Sequence, residues 1–257
     1  MNNKLALPFL LLISCCLSSC AAHAAIKPLI ITLTPKSCIK HGRVIAIHTK
    51  PTVQDIAKDA YCTLNFMQKY APHGTVTVFG SSRTKLRHKN YILAKKFAFL
   101  WTKADKDNHP ILTGGGPGIM QAANHGAAEA KGYSLYLANH FIHEASINPH
   151  ATHGYIASSL AQKTSDMVNY SAAIVVLPGG FGTEWELFET LTKIQTHKIK
   201  PIPIILLGSK KTWANLTDHI KHLKNIGTIS KKDLILYANI SNANSAVQYL
   251  EKIYHHI

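Results

Sequence analysis

Between Leu177 and Glu189 the chain runs LPGGFGTEWELFE. A proline, three glycines and a threonine fall within six residues, and the carboxylates of Glu184, Glu186 and Glu189 follow at once. Bare backbone lets successive N–H groups point into one concavity. A helix opening behind it adds unpaired donors and the positive end of its dipole, so an anion such as phosphate is the natural occupant. Glu184, in the first turn, is favoured by the dipole alone. Glu186 and Glu189 lie three apart and share a helix face. A carboxylate beside a phosphate-binding turn can bind ribose hydroxyls and stabilise positive charge developing at an anomeric carbon, as in glycoside cleavage. Two more glycine-bearing turns, FGSSRT (Phe79 to Thr84) and TGGGPGIM (Thr113 to Met120), end predicted strands, and each is expected to open a helix.

Other glycine-loop chemistries fail on the residues present. The dinucleotide fingerprint would need glycine where Ile119 stands, and the strand that follows ends at Asn139 without a ribose-binding acid. Gly-Lys-Ser/Thr is absent, which excludes a Walker loop, and there is no GxSxG elbow for a serine hydrolase. The segment NHFIHEASINPHATH holds His140, His143, His150 and His153, but no cysteine or second acid cluster completes a ligand set. No metal is expected, and one of these histidines is a candidate base contact instead.

The elements that must carry these turns follow from periodicity. Thr52 and Asp55 form a capping-box pattern ahead of Val53, Ile56, Ala60, Leu64 and Met67 at helical spacing, predicting a helix over 52–70. Strands TVTVFG, PILTG, YSLYLA, AAIVVLP, IPIILLG and DLILYA then alternate with helices predicted over 91–104, 118–131, 158–170, 183–196, 211–223 and 245–254. Short β-branched runs between amphipathic helices imply a parallel sheet covered on both faces. The expected fold class is α/β, a Rossmann-like doubly wound parallel sheet in a single domain, with ligands beyond the carboxyl ends of the strands. Residues 138–156 lack periodicity and are expected to loop over that edge. Asp166 is a candidate partner for Lys163, three residues before it.

The N-terminus is set apart from the fold. MNNKLALPFLLLISCCLSSC pairs Lys4 with an apolar run and then small residues, the pattern of a secretory signal. LSSC resembles the lipobox of bacterial lipoproteins, which would make Cys20 the lipidated first residue and residues 1–20 the signal. Ala22-His23-Ala24 offers ordinary cleavage after 24 instead. Residues 25–51 form an N-terminal extension, with β-rich pieces LIITLT and RVIAIHT, and residues 52–257 the main domain. The protein is expected to be periplasmic, and held at a membrane where Cys20 carries lipid. Cys38 and Cys62 are either a disulfide or two buried thiols. The formal charge of +15, or +14 once Lys4 is removed, favours anionic partners. Nucleic acid is not expected, because the lysines are scattered without aromatic interleaving.

The motif Pro178, Gly179, Gly180, Phe181, Gly182, Thr183 and Glu186 resembles PGGxGTxxE of the LOG family, proteins that have also carried the label lysine decarboxylase. GGGPGIMQAAN and VFGSSRT match two further family features, and the resemblance runs from about Thr75 to Gly208. It implies a nucleoside 5′-monophosphate phosphoribohydrolase, an N-glycosidase releasing base and ribose 5-phosphate from purine nucleotides such as AMP. It also implies no redox cofactor and a site at a homodimer interface. Carried over, Gly115, Gly116, Gly180, Gly182 and Thr183 would bind phosphate, Ser82 and Arg83 would contact the nucleotide, and Glu186 would be the catalytic carboxylate. No marker of a pyridoxal phosphate site supports the decarboxylase label. One departure stands out: where the family has an Arg-Lys pair, this chain has Lys163 and Thr164. Lysine keeps the charge and loses the bidentate fork, so the resemblance implies either a weakened enzyme with Lys163 assisting or a non-catalytic nucleotide- or phosphoanion-binding protein.

Overall fold

The computed structural model describes residues 38, 50–139 and 147–254. The signal, most of the extension with its two β-rich pieces, His140 and His143 lie outside the described residues.

Seven strands form one all-parallel sheet in the order β4-β3-β2-β1-β5-β6-β7. They are β1 (Thr75–Phe79), β2 (Ile111–Thr113), β3 (Ser134–Asn139), β4 (His153–Ala157), β5 (Ser171–Val176), β6 (Ile204–Leu207) and β7 (Ala238–Ile240). The helices are α1 (Val53–Tyr70), α2 (Lys89–Asp105), α3 (Ile119–Glu129), α4 (Leu160–Asn169), α5 (Phe181–Gln195), α6 (Lys210–Asn225) and α7 (Ala243–Tyr254). The chain runs outward from β1 to β4, then returns to lay β5 on the other flank of β1. The order therefore reverses between β1 and β5, where a doubly wound sheet opens its ligand crevice.

Alternation along the strands sorts the core into two layers. Val76, Val78, Ile111, Ala173, Val175, Ile205 and Leu207 pack against Phe97, Trp101, Ile119 and Leu250 from α2, α3 and α7. Phe79, Leu112, Leu137, Ile174, Val176 and Leu206 meet Met67, Met167, Leu187 and Trp213 from α1, α4, α5 and α6. Strands buried on both faces explain the unbroken apolar runs in the sequence.

α1 starts as expected, with the reciprocal Thr52–Asp55 capping box in place. Its buried face carries two attachments, one turn apart near its middle. Cys62 forms a disulfide with Cys38, which resolves the two cysteine alternatives. Asp59, fully buried, accepts hydrogen bonds from the backbone N–H groups of Ser158 and Ser159 and from the Tyr155 hydroxyl. It thereby anchors the turn from which α4 departs.

Three expectations are corrected. Residues 138–156 are not all loop: β3 reaches Asn139, and β4 adds a parallel edge strand whose opening His-Gly pair hid it from the periodicity. DLILYA is not a strand, because Ser230 and Asp233 form a capping box that winds Lys231–Ile235 into a 3₁₀ turn and moves β7 to Ala238–Ile240. FGSSRT does not open a helix directly; a loop runs from Gly80 to His88, whose ring nitrogen caps α2 by accepting from Asn90 N–H.

Asp166 sits between α4 and α1, almost wholly buried. Burial pushes its carboxyl up from 3.8 to about 6, against hydrogen bonds from Gln162 and Thr63, with Asp59 adding to the rise. A folded-state value above the unfolded one means that the protonated acid contributes stability, present below pH 3.8 and lost as pH rises through about 6. Keeping it ionised at pH 7 costs about 3 kcal/mol on that shift. Asp166→Asn should therefore raise the urea midpoint at pH 7, by a stability gain of about 1–3 kcal/mol, and lose that advantage at pH 4.

Candidate active site

Three turns meet at the carboxyl ends of β1, β2 and β5. Ser81 N–H donates to Pro178 carbonyl oxygen at 3.2 Å, joining the first turn to the third, and Ile119 N–H donates to Ser81 carbonyl oxygen at 3.0 Å, joining the second to the first. At Gly118 and Gly179 the fit leaves no room for a side chain. Gly118 has φ +69° and lies against the backbone of Ser81 and Ser82, so any Cβ would collide with main chain. A Cβ on Gly179 would strike the Thr183 side chain and come within 3.0 Å of Ser81 N.

Gly180 and Gly182 differ. A Cβ on either would meet nothing within 4 Å, and neither has positive φ. Among the described residues nothing in the packing requires glycine there. Bareness without crowding is what close approach of an outside group to the backbone demands. The amides at the head of α5 have no intrahelical acceptors, and Glu184 N–H donating to Gly180 carbonyl oxygen at 3.1 Å closes the first turn.

Glu186 projects from α5 and Lys163 from α4, and they meet: Nζ lies 3.1 Å from Oε1, with side chains 7% and 15% exposed for Lys163 and Glu186 respectively. The expected Lys163–Asp166 contact is thus replaced by a cross-helix pair, and Asp166 takes its bond from Gln162 at 2.7 Å. α4 is held against α5 by Lys193, whose Nζ donates to Ser165 Oγ at 2.7 Å and Asn169 Oδ1 at 2.9 Å while pairing with Glu189 at 2.9 Å. Glu189 is therefore spent on the clamp. Lys163 Nζ also lies 3.9 Å from where a Cβ on Gly114 would stand, so the second glycine turn borders the pair. Burial pushes the Glu186 carboxyl above the usual carboxylate range; the Lys163 charge and hydrogen bond pull it back, and Glu189 pushes it up.

In the second turn, Gly115 has φ +76° and gives its N–H to Thr113 Oγ1 at 2.9 Å. Gly116 is half-buried, with Met120 Cε 2.6 Å from the place of a Cβ. Thr183 is buried at the start of α5. Ser82 and Arg83 lie exposed on the first turn, where Arg83, Lys85, Arg87 and His88 line a shallow basic hollow with Ser81 and Thr84. Glu186, Lys163 and the second and third turns are drawn together; Ser82 reaches them only through its backbone beside Gly118.

His150 and His153 do not form a metal cluster, and no group of three or more His, Cys, Asp or Glu suited to a metal occurs among the described residues. His150 stacks on His125 with ring centroids 3.9 Å apart, and His153 packs on Tyr70 and Tyr133. Sequence reasoning missed Asn148, which sits against the second turn. Its Asn-Pro step, a turn former, was the available signal.

A parallel sheet with anion-ready turns around a buried carboxylate defines the chain as a Rossmann-like α/β protein. The model of the family described as "Possible lysine decarboxylase" matches residues 120–250. The chain therefore belongs to that family, the LOG family. The pyrimidine/purine nucleotide 5′-monophosphate nucleosidase of Escherichia coli is 32% identical over 112 residues, 40% of this chain and 25% of that protein. The cytokinin riboside 5′-monophosphate phosphoribohydrolase LOG5 of Arabidopsis thaliana is 27% identical over 142 residues, 55% of this chain and 62% of that protein. The chain thus spans a quarter of the bacterial relative's length. Among solved structures, the molybdenum cofactor binding protein of Rippkaea orientalis aligns with TM-score 0.51 at 18% identity, covering 70% of this chain and 96% of that one. At that identity the likeness is one of fold.

Replacing Lys163 by methionine removes the charge that holds Glu186 down. In Lys163→Met, a carboxyl-carbon NMR titration should show Glu186 protonating at higher pH than in the wild type. An unchanged titration would mean that the pair does not control the acid.

Proposed function

We propose that the protein is a nucleoside 5′-monophosphate phosphoribohydrolase acting on purine nucleotides such as AMP. One observation carries the proposal: a largely but not fully buried carboxylate, Glu186, paired with Lys163 at the point where glycine turns leave backbone bare. The names of the two relatives, a nucleosidase and a phosphoribohydrolase of nucleoside 5′-monophosphates, support it.

In this reading Gly116, Gly180, Gly182 and Thr183 take the 5′-phosphate through main-chain N–H groups and the head of α5. Gly115 shapes the turn, since its own N–H is given to Thr113. The ribose then lies along Glu186, with Ser82 and Arg83 toward the base. As the C1′–N bond breaks, its electron pair leaves with the base nitrogen, which takes a proton from solvent. The ribose gains oxocarbenium character facing the Glu186 carboxylate. A water adds its oxygen to C1′ and gives a proton to Glu186, which returns it to solvent, leaving ribose 5-phosphate and the carboxylate as it began. Lys163 keeps the carboxylate charged before the reaction and steadies the phosphate or sugar. No cofactor enters these steps.

The proposal extends to a homodimer. Phe181 and Trp185, 96% and 41% exposed and one turn apart at the start of α5, give a second copy an apolar surface beside the site. It extends also to export, which the Cys38–Cys62 disulfide supports, with Cys20 as the lipid attachment point. Among the described residues no helix is long and apolar enough to cross a membrane. A second reading, a non-catalytic binder of nucleotides or phosphoanions, is favoured by one feature: lysine at 163 makes a single contact to Glu186, where arginine could make two.

Incubation of the purified protein with AMP, GMP, CMP and UMP, followed by chromatography of free base and ribose 5-phosphate, separates the readings. Equimolar release from AMP is expected, falling about 100- to 1,000-fold in Glu186→Gln and rising in Lys163→Arg. Nucleotide binding without release would favour the binder.

A further inference from the structure

The second glycine turn is gripped from behind by one buried side chain. Asn148 is 5% exposed. Its backbone N–H donates to Gly115 carbonyl oxygen at 2.8 Å. Its side-chain Nδ2 lies 3.1 Å from Gly115 carbonyl oxygen, 3.1 Å from Gly116 carbonyl oxygen and 2.9 Å from Asn124 Oδ1, so two N–H groups serve three acceptors. Asn148 Oδ1 accepts from His150 N–H at 3.2 Å. Asn124 is itself fixed, accepting from Thr113 Oγ1 at 2.7 Å and donating to Ser134 Oγ at 2.9 Å. The turn is thus referenced to β2, β3 and α3 through one amide.

The consequence lies in peptide geometry. In a trans peptide the carbonyl of one residue and the N–H of the next point in opposite directions. Two donors hold the Gly115 carbonyl toward Asn148, which turns the Gly116 N–H to the opposite side of the turn. Gly115's own N–H is occupied by Thr113, and position 117 is proline. Among the described residues, Gly116 is the one of these three positions that offers a donor.

The geometry points to Asn148 as a positioning residue that aims the Gly116 N–H and thereby sets the preference for a phosphorylated ligand. This rests on the phosphate-binding reading of the turn given above. Asn148 touches no ligand; it acts through the carbonyls it holds.

The test compares, by calorimetry, ribose 5-phosphate with ribose on the wild-type protein and Asn148→Ala, and AMP with adenosine on the same two chains carrying Glu186→Gln, which spares the AMP from turnover. Wild type should prefer the phosphorylated member of each pair, and Asn148→Ala should lose at least about tenfold of that preference while adenosine affinity stays within about twofold. Equal weakening of AMP and adenosine would assign Asn148 a merely structural role and overturn the inference. So would a variant that keeps the wild-type preference. A wild type without phosphate preference would instead overturn the reading of the turn itself. Where Asn148→Ala does not fold, the wild-type amide spectrum decides: the Gly116 N–H proton should move downfield on titration with ribose 5-phosphate and stay still with ribose. A Gly116 resonance indifferent to ribose 5-phosphate, in a protein whose other turn amides respond, would overturn the inference.

Discussion

Glu186 is a carboxylate carried largely out of water, and the Lys163 ammonium 3.1 Å away is what offsets the cost of leaving it charged there. Neither side chain could do this from an independently placed helix. Lys163 needs α4 to depart at a fixed angle, which Asp59 secures from α1 by holding the amides of Ser158 and Ser159. Glu186 needs α5 to begin just past the third glycine turn, and Lys193 then clamps the two helices side by side. Removing one partner would leave the other as an uncompensated buried charge, a loss of about 3–5 kcal/mol in comparable sites.

The glycines divide into two kinds around that pair. Gly118 and Gly179 are small because three turns crowd together, whereas a Cβ on Gly180 or Gly182 would meet none of the described residues within 4 Å. The first kind serves folding, since it lets the ends of β1, β2 and β5 approach within hydrogen-bonding distance. The second kind lies at the head of α5, a turn away from Glu186, where the proposed function puts the phosphate.

Much of this was legible in the sequence because the signals were local. Thr52 with Asp55 announces α1, the β-branched runs give the buried strands, and the PGG segment marks the third turn. What was not legible depended on long-range geometry. Lys163 was set against Asp166, its neighbour in sequence, because the contact with Glu186 crosses between two helices 23 positions apart. β4 escaped because a short edge strand opening with His153 and Gly154 has too few apolar residues to show a period. The DLILYA run looks like a strand from composition, yet the Ser230–Asp233 capping box overrides that propensity. Asn148 carries no periodic signal, and its partners Gly115 and Gly116 stand more than 30 positions earlier.

The central claim is spatial: phosphate at the open glycines and the anomeric carbon at Glu186. A crystal structure of the Glu186→Gln protein soaked with AMP tests it most directly. The account predicts phosphate oxygens within hydrogen-bonding distance of the amides of Gly116 and of the turn through Gly180 and Thr183, with C1′ facing the side chain at 186. A nucleotide bound with its phosphate on the Arg83 loop and its ribose remote from position 186 would contradict it.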